Sequence, residues 1–277
     1  MQKAEAAISQ ELEFIFDRFD LKALAEEQRE VYAKASPFPY VVMDGFLPED
    51  IAERVLGEFP APDAIEWTRY NGEEQRKLES KSEDQLPPFT RSLLSQMNSS
   101  KFVSFLEELT GIEGLIPDPH YWGGGLHQIN RGGHLKIHAD FSLHPGMKIH
   151  RRINLLLYLN KDWKDEYAGK LELWDRDITR CEAKITPTFN RCVVFNTTDY
   201  SYHGHPDPVA CPEGMTRKSI ALYYYTREKP SDEVSATIET RWKERPDDRT
   251  LRSTIGRFIP PIVLDVRRAV LSRIRKN

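Results

Sequence analysis

Apolar residues recur at helical spacing near the start of the chain, where Leu12, Ile15, Phe16, Phe19, Leu21 and Leu24 lie among charged residues. Residues 4–35 are therefore expected to form one or two amphipathic helices. The β-branched run at 40–43 reads as a strand, and Pro48-Glu49-Asp50 opens a helix reaching about Phe59. Charge and glutamine across 71–88 predict a loop or mobile flap, after which 90–110 return to helical periodicity. From Tyr121 onward the pattern changes to short strand-like runs at 123–130, 134–139, 150–160, 169–174, 182–186, 191–196 and 217–226, separated by Gly, Pro, Asn and Asp. Such spacing predicts a sandwich, jelly roll or barrel, so the expected fold is mainly β with flanking helices.

A chain of 277 residues accommodates one domain with extensions. The expected division is a helical N-terminal extension with the start of the fold at 1–120, a catalytic-type β core at 121–230, and a charged C-terminal extension at 231–277. A terminal helix is predicted over 259–274, with Arg267, Arg268, Arg273, Arg275 and Lys276 near its end. These cations complement a helix C-terminus or meet an anionic partner. The formal net charge of -4 gives no general attraction to a phosphate backbone, so no nucleic-acid partner is expected. No apolar run approaches the roughly 20 residues of a membrane-spanning helix, and the first residues lack a secretory pattern, so a cytoplasmic location is expected. Cys181, Cys192 and Cys211 are odd in number and widely spaced, which fits free thiols in a reducing compartment.

In His138-Ala139-Asp140 the two potential ligands are one residue apart, so on a strand they project from the same face. A third ligand is offered by Tyr202-His203-Gly204-His205-Pro206, just after the apolar strand 192–196. Two histidines and one carboxylate on one face of a metal leave three positions open, the arrangement non-haem Fe(II) oxygenases need for an oxo acid and O2. His203 and His205 compete for the third place. His203 is preferred, because Tyr200-Ser201-Tyr202 reads as a strand reaching the site while His205 precedes a proline and a turn. His134, His144 and His150 read as loop or strand-surface residues.

An oxo acid with a second carboxylate also needs a cation. Alternation along 217–225 puts Arg217, Ser219, Ala221 and Tyr223 on one face, and a guanidinium binds a carboxylate bidentately as Lys218 cannot. If that face points inward, Arg217 needs an anionic ligand or partner.

With these residues in place, 138–225 resembles the prolyl-4-hydroxylase-like branch of the Fe(II)/2-oxoglutarate dioxygenases. Arg151-Arg152-Ile153-Asn154-Leu155-Leu156-Leu157-Tyr158-Leu159-Asn160-Lys161-Asp162-Trp163 looks like the family's strand and turn after His-x-Asp, and Gly169-Lys170-Leu171-Glu172-Leu173 and Arg191-Cys192-Val193-Val194-Phe195 look like the strands that follow. The resemblance spans 124–226, with a weaker match at 37–47. It implies a double-stranded β-helix (jelly-roll) core, Fe(II) held by His138, Asp140 and His203, and 2-oxoglutarate held by Arg217 with the Tyr158 hydroxyl. It further implies consumption of O2, ascorbate as a reductant, and hydroxylation of an unactivated C–H in a prolyl residue, an amino acid or another small metabolite. A carboxylate at Asp140 occupies the place a halide would need, favouring hydroxylation over halogenation. The chain departs from the family where a Tyr is frequent nine residues before the first His: Ile129 stands there, with Gln128 or Asn130 as substitutes. The gap of fourteen residues from His203 to Arg217 is also longer than in many relatives. Substrate choice is expected to lie with the flap 71–88 and the loop 141–149. The competing readings are a catalytically silent jelly-roll protein that binds an oxo acid or metal, and a cupin-type hydrolase or isomerase using His134.

Overall fold

The computed structural model describes residues 14–230, 237 and 239–248. A 3-10 turn, Ile15–Arg18, precedes the helix Leu21–Lys34, whose first turn is capped by Asp20 accepting from the Ala23 amide at 2.9 Å. The helices Glu49–Glu58, Pro88–Met97 and Ser100–Thr110 follow where helical periodicity places them. The predicted terminal helix and the basic cluster lie outside the described residues, as do residues 4–13 of the predicted N-terminal helix. The described residues up to Trp242 belong to one compact unit, and those from Lys243 belong to a second.

Among the described residues, thirteen strands form one antiparallel sheet. They are β1 Tyr40–Asp44, β2 Trp67–Asn71, β3 Gln75–Ser80, β4 Ile116–Pro117, β5 Gly125–Ile129, β6 His134–Ala139, β7 His150–Tyr158, β8 Leu171–Trp174, β9 Cys181–Ile185, β10 Arg191–Asn196, β11 His203–His205, β12 Arg217–Thr226 and β13 Arg241–Trp242. The path β1-β10-β7-β12-β5-β3-β6-β11-β8-β9 curls into the half-barrel of a jelly roll, with β2 on β3, β4 on β12 and β13 on β6. The expected double-stranded β-helix with outer helices is the architecture observed.

Period-two alternation sorts the strands between two environments. Ile153, Leu155 and Leu157 of β7 and Ile220, Leu222 and Tyr224 of β12 pack with helical residues such as Leu93, Phe102 and Leu106 in the main core. Asn154, Leu156 and Tyr158 of β7 and Arg217, Ser219 and Tyr223 of β12 line a cavity inside the curl. Burying the helix-facing side removes several large apolar side chains from water, each worth about 1.5–3 kcal/mol. That core holds the β-curl rigid behind its polar inner wall.

Two expectations are corrected here. Residues 71–88 are not a loop: β2 and β3 form a hairpin, followed by a 3-10 turn at Glu83–Gln85 and a helix starting at Pro88. Strand β3 bridges β5 and β6, pairing Leu78 with Gln128 and Gln75 with Leu135. Its inward residues Gln75, Lys77 and Glu79 line the cavity, so the apolar alternation that announces a strand is missing from the sequence. The other correction is that Tyr200–Tyr202 is not a strand, whereas His203-Gly204-His205 is.

Candidate active site

His138 and Asp140 meet at the end of β6, and β11 brings His203 directly opposite His138. One ligand atom from each of His138, Asp140 and His203 lies within 4.8 Å of the others. Close approach of β11 to β6 depends on Gly204, where a Cβ would stand 2.6 Å from the Lys136 carbonyl oxygen. Phe195 and Trp242 flank the imidazoles, with ring centroids 4.7 Å from His203 and 5.1 Å from His138.

Hydrogen bonds fix how these groups present themselves. His138 Nδ1 donates to the Lys136 carbonyl at 2.8 Å and His203 Nδ1 to the Ser201 carbonyl at 2.9 Å. With Nδ1 engaged, each ring turns its Nε2 toward Asp140, whose oxygens lie 3.5 Å and 3.4 Å away. Two imidazole nitrogens and a carboxylate converge, a set that suits a divalent first-row metal with an open face. Burial pushes the His203 pKa down to about 4, which keeps the imidazole a free donor at neutral pH.

Asp140 is oriented by two buried neighbours that the sequence reading did not single out. Asn154 Nδ2 donates to Asp140 Oδ2 at 2.7 Å, and Arg151 lies 3.1 Å from the same oxygen. Arg151 Nε in turn donates to Asn154 Oδ1 at 2.8 Å, and its guanidinium lies 3.4 Å from the centre of the Tyr223 ring. Burial alone would raise the Asp140 carboxyl, but Arg151 and then the two imidazoles hold it well below the usual carboxylate range. The available signal was an asparagine inside the apolar run of β7, on the same face as Tyr158.

Arg217 lies deeper in the same cavity of about 410 Å³. Its Nε donates to the Gly169 carbonyl at 2.8 Å, and its guanidinium carbon sits 4.9 Å from the centre of the Tyr158 ring. Gly169 has φ +68°, and a Cβ there would stand 3.1 Å from Arg217 Cδ, so glycine meets both the turn and the close approach. Among the described residues no carboxylate pairs with Arg217, and the buried Tyr158 hydroxyl has no well-formed hydrogen bond. Burial lowers the Arg217 pKa and raises that of Tyr158, so the phenol remains a proton donor.

The other candidates fall elsewhere. His205 is buried in the cavity wall but outside the three-residue cluster. His134 is half-buried and bonds the Glu73 carbonyl at 3.1 Å, while His144 is buried rather than superficial and lies 3.4 Å from Asp118. Gln128, a possible substitute for the family's tyrosine, instead donates to the Pro60 carbonyl at 2.9 Å, and Asn130 is exposed. His127, on the same face as Ile129, lines the cavity beside the buried Lys77–Glu79 pair, whose closest approach is 2.8 Å. Trp122 stands exposed at the cavity wall.

A jelly roll holding an inward His-Asp-His cluster is the architecture of a non-haem metal oxygenase. Residues 124–225 match the family model of the 2OG-Fe(II) oxygenase superfamily. That match supports an oxidoreductase, a 2-oxoglutarate-dependent dioxygenase. The fold is similar to that of a Pseudomonas putida prolyl-4-hydroxylase, with TM-score 0.53 and 18% identity over 74% of this chain and 100% of that one. A prolyl hydroxylase from Trichoplax adhaerens, solved with a hypoxia inducible factor oxygen degradation domain peptide, aligns with TM-score 0.53 and 16% identity over 81% of this chain and 99% of that one. A comparison with curated protein sequences finds no match. Among the described residues, no helix is long and apolar enough to cross a membrane.

Proposed function

We propose that His138, Asp140 and His203 hold Fe(II), that Arg217 and Tyr158 bind the distal carboxylate of 2-oxoglutarate, and that the protein hydroxylates an unactivated C–H of a prolyl residue, an amino acid or another small metabolite. The observation that carries the reading is a buried guanidinium with no carboxylate partner among the described residues, in the same cavity as the three convergent donors. An isolated buried cation is strongly disfavoured, so the site is built for an anion. When bound, the iron supplies O2 chemistry that turns substrate, 2-oxoglutarate and O2 into hydroxylated substrate, succinate and CO2.

The chain's own residues do the rest. The Asn154 and Arg151 contacts keep Asp140 ionised and oriented, and the two backbone carbonyls keep His138 and His203 in the Nδ1–H tautomer. Arg217 and Tyr158 orient the co-substrate from the far end, so that its oxo acid end faces the triad. The apolar walls around Leu156 and Leu171 restrict water. The side chains of the β2–β3 hairpin and the exposed Trp122, which line the cavity, are suited to contact the substrate. A peptidyl substrate is supported by the peptide bound to the Trichoplax adhaerens protein. Ascorbate serves as a reductant that keeps the iron ferrous, and the three free cysteines suit a cytoplasmic location.

The test is succinate release by anaerobically purified protein given Fe(II), 2-oxoglutarate and ascorbate, then O2, with pooled metabolites or peptides. The reading expects Fe(II)-dependent succinate stimulated by one pool and abolished by Asp140→Ala and His203→Ala. Bound 2-oxoglutarate that is never consumed with any pool would support the binding-protein reading instead.

A further inference from the structure

His205 belongs to the cavity wall, yet the proposed metal site leaves it unused. Its side chain is buried, and among the described residues neither ring nitrogen has a hydrogen-bond partner. An imidazole with both nitrogens unsatisfied is a poor choice for a wall that an aliphatic side chain would fill without polar loss.

The register says where this ring stands. On β11, His203 faces His138 on one side and Leu173 on the other, and Gly204 faces Glu172. Past a register shift, His205 pairs with Leu135, and it lines the same cavity as Leu171. Leu171 is two residues from Gly169, whose carbonyl holds Arg217 Nε. The flanking leucines offer the ring no bond, while Arg217 is the foremost charge acting on it. His205 thus lines the cavity that also holds the triad and the guanidinium, the space a dicarboxylic oxo acid must span.

We propose that His205 donates an N–H to the distal carboxylate of bound 2-oxoglutarate, alongside Arg217 and Tyr158. The inference rests on the assignment of Arg217 as the anchor for that carboxylate. An ionised carboxylate offers about four acceptor positions. With Nε tied to Gly169, the two terminal guanidinium nitrogens and the phenol supply three donors, and His205 supplies the fourth. Because imidazole carries an N–H in either protonation state, the bond does not depend on its titration.

The experiment is calorimetric titration of Zn(II)-loaded protein with 2-oxoglutarate and with 2-oxopentanoate, which lacks the distal carboxylate. His205→Leu should weaken 2-oxoglutarate binding about tenfold or more, in line with loss of a bond to a charged group, and leave 2-oxopentanoate binding unchanged. His205→Gln should recover most of the loss, and both variants should bind Zn(II) as the wild type does. Equal affinity of His205→Leu for 2-oxoglutarate, equal losses for both acids, or a loss of Zn(II) binding would each overturn the proposal. If His205→Leu does not fold, the 15N-histidine NMR spectrum of the Zn(II)-loaded wild type provides the answer, with His205 assigned through His205→Gln. Its ring N–H should shift with 2-oxoglutarate and not with 2-oxopentanoate, and identical responses to both acids would overturn the assignment. If Arg217→Met binds 2-oxoglutarate as tightly as the wild type does, the oxo acid site itself is misassigned, a result separable from any His205 outcome.

Discussion

Replacing Asn154 with leucine tests whether the buried amide orients the carboxylate of the triad. The change removes the 2.7 Å bond to Asp140 and the 2.8 Å bond from Arg151 Nε, leaving both charged partners buried. Each hydrogen bond to a charged group is worth about 1.5–3 kcal/mol, but the two share one network and do not simply add, so metal-free protein should lose about 2–4 kcal/mol. In a chain of this size that lowers Tm by about 5–15 °C. Loss of a bond that orients a metal ligand typically weakens metal binding about 10–100-fold, which reduces the metal's stabilising increment by about 1.4–2.8 kcal/mol. The assay pairs anaerobic Fe(II) titration by calorimetry with melts of metal-free and metal-loaded protein. A folded Asn154→Leu variant that binds Fe(II) as tightly as the wild type would refute the argument that this bond sets the carboxylate.

Arg217→Met should leave the metal-free protein melting no lower than the wild type, because it removes a buried guanidinium with no carboxylate partner, yet it should abolish the stabilisation that 2-oxoglutarate confers on the Zn(II)-loaded form. A lower metal-free Tm would show that Arg217 is already satisfied within the fold. Burial pushes the His127 pKa from 6.5 down to about 3, so the unfolded chain binds a proton there that the folded protein refuses between those values. Stability from this group is complete above pH 6.5 and declines as pH falls toward 3; from pH 6.5 to 5 one such proton amounts to about 2 kcal/mol. Urea midpoints at pH 7 and 5 should therefore shift less for His127→Gln than for the wild type, and an equal shift would contradict the burial. Gly204→Ala places a Cβ 2.6 Å from the Lys136 carbonyl, so β11 must move off β6, with a stability loss of about 1–3 kcal/mol and weaker Fe(II) binding. Wild-type affinity in that variant would show that the triad does not need this close strand pairing.

What the sequence disclosed follows from what burial demands. Strands β7, β10 and β12 carry one face against the helices, so their apolar alternation is dense and their limits were legible. Inward alternation of Arg217 with Ser219 and Tyr223 was likewise readable, as was the pairing of His138 with Asp140 on one strand face. Strand β3 escaped notice because its inner face borders a polar cavity and carries Gln75, Lys77 and Glu79 where a core strand would carry apolar residues. Arg151, Asn154 and His127 gain their meaning from Asp140 and Glu79, outside their own strands, which spacing along one strand does not reveal. The proline after His205 marks the strand's end, but spacing alone does not show that the ring of this last residue of β11 is buried.

The most direct test of the account is a crystal structure of protein grown anaerobically with Mn(II) and 2-oxoglutarate, with anomalous data at the manganese edge. The account predicts one strong anomalous peak bonded to His138 Nε2, His203 Nε2 and the Asp140 carboxylate, with the distal carboxylate of 2-oxoglutarate on Arg217. A peak coordinated by His205 in place of His203, or an oxo acid bound away from Arg217, would contradict it.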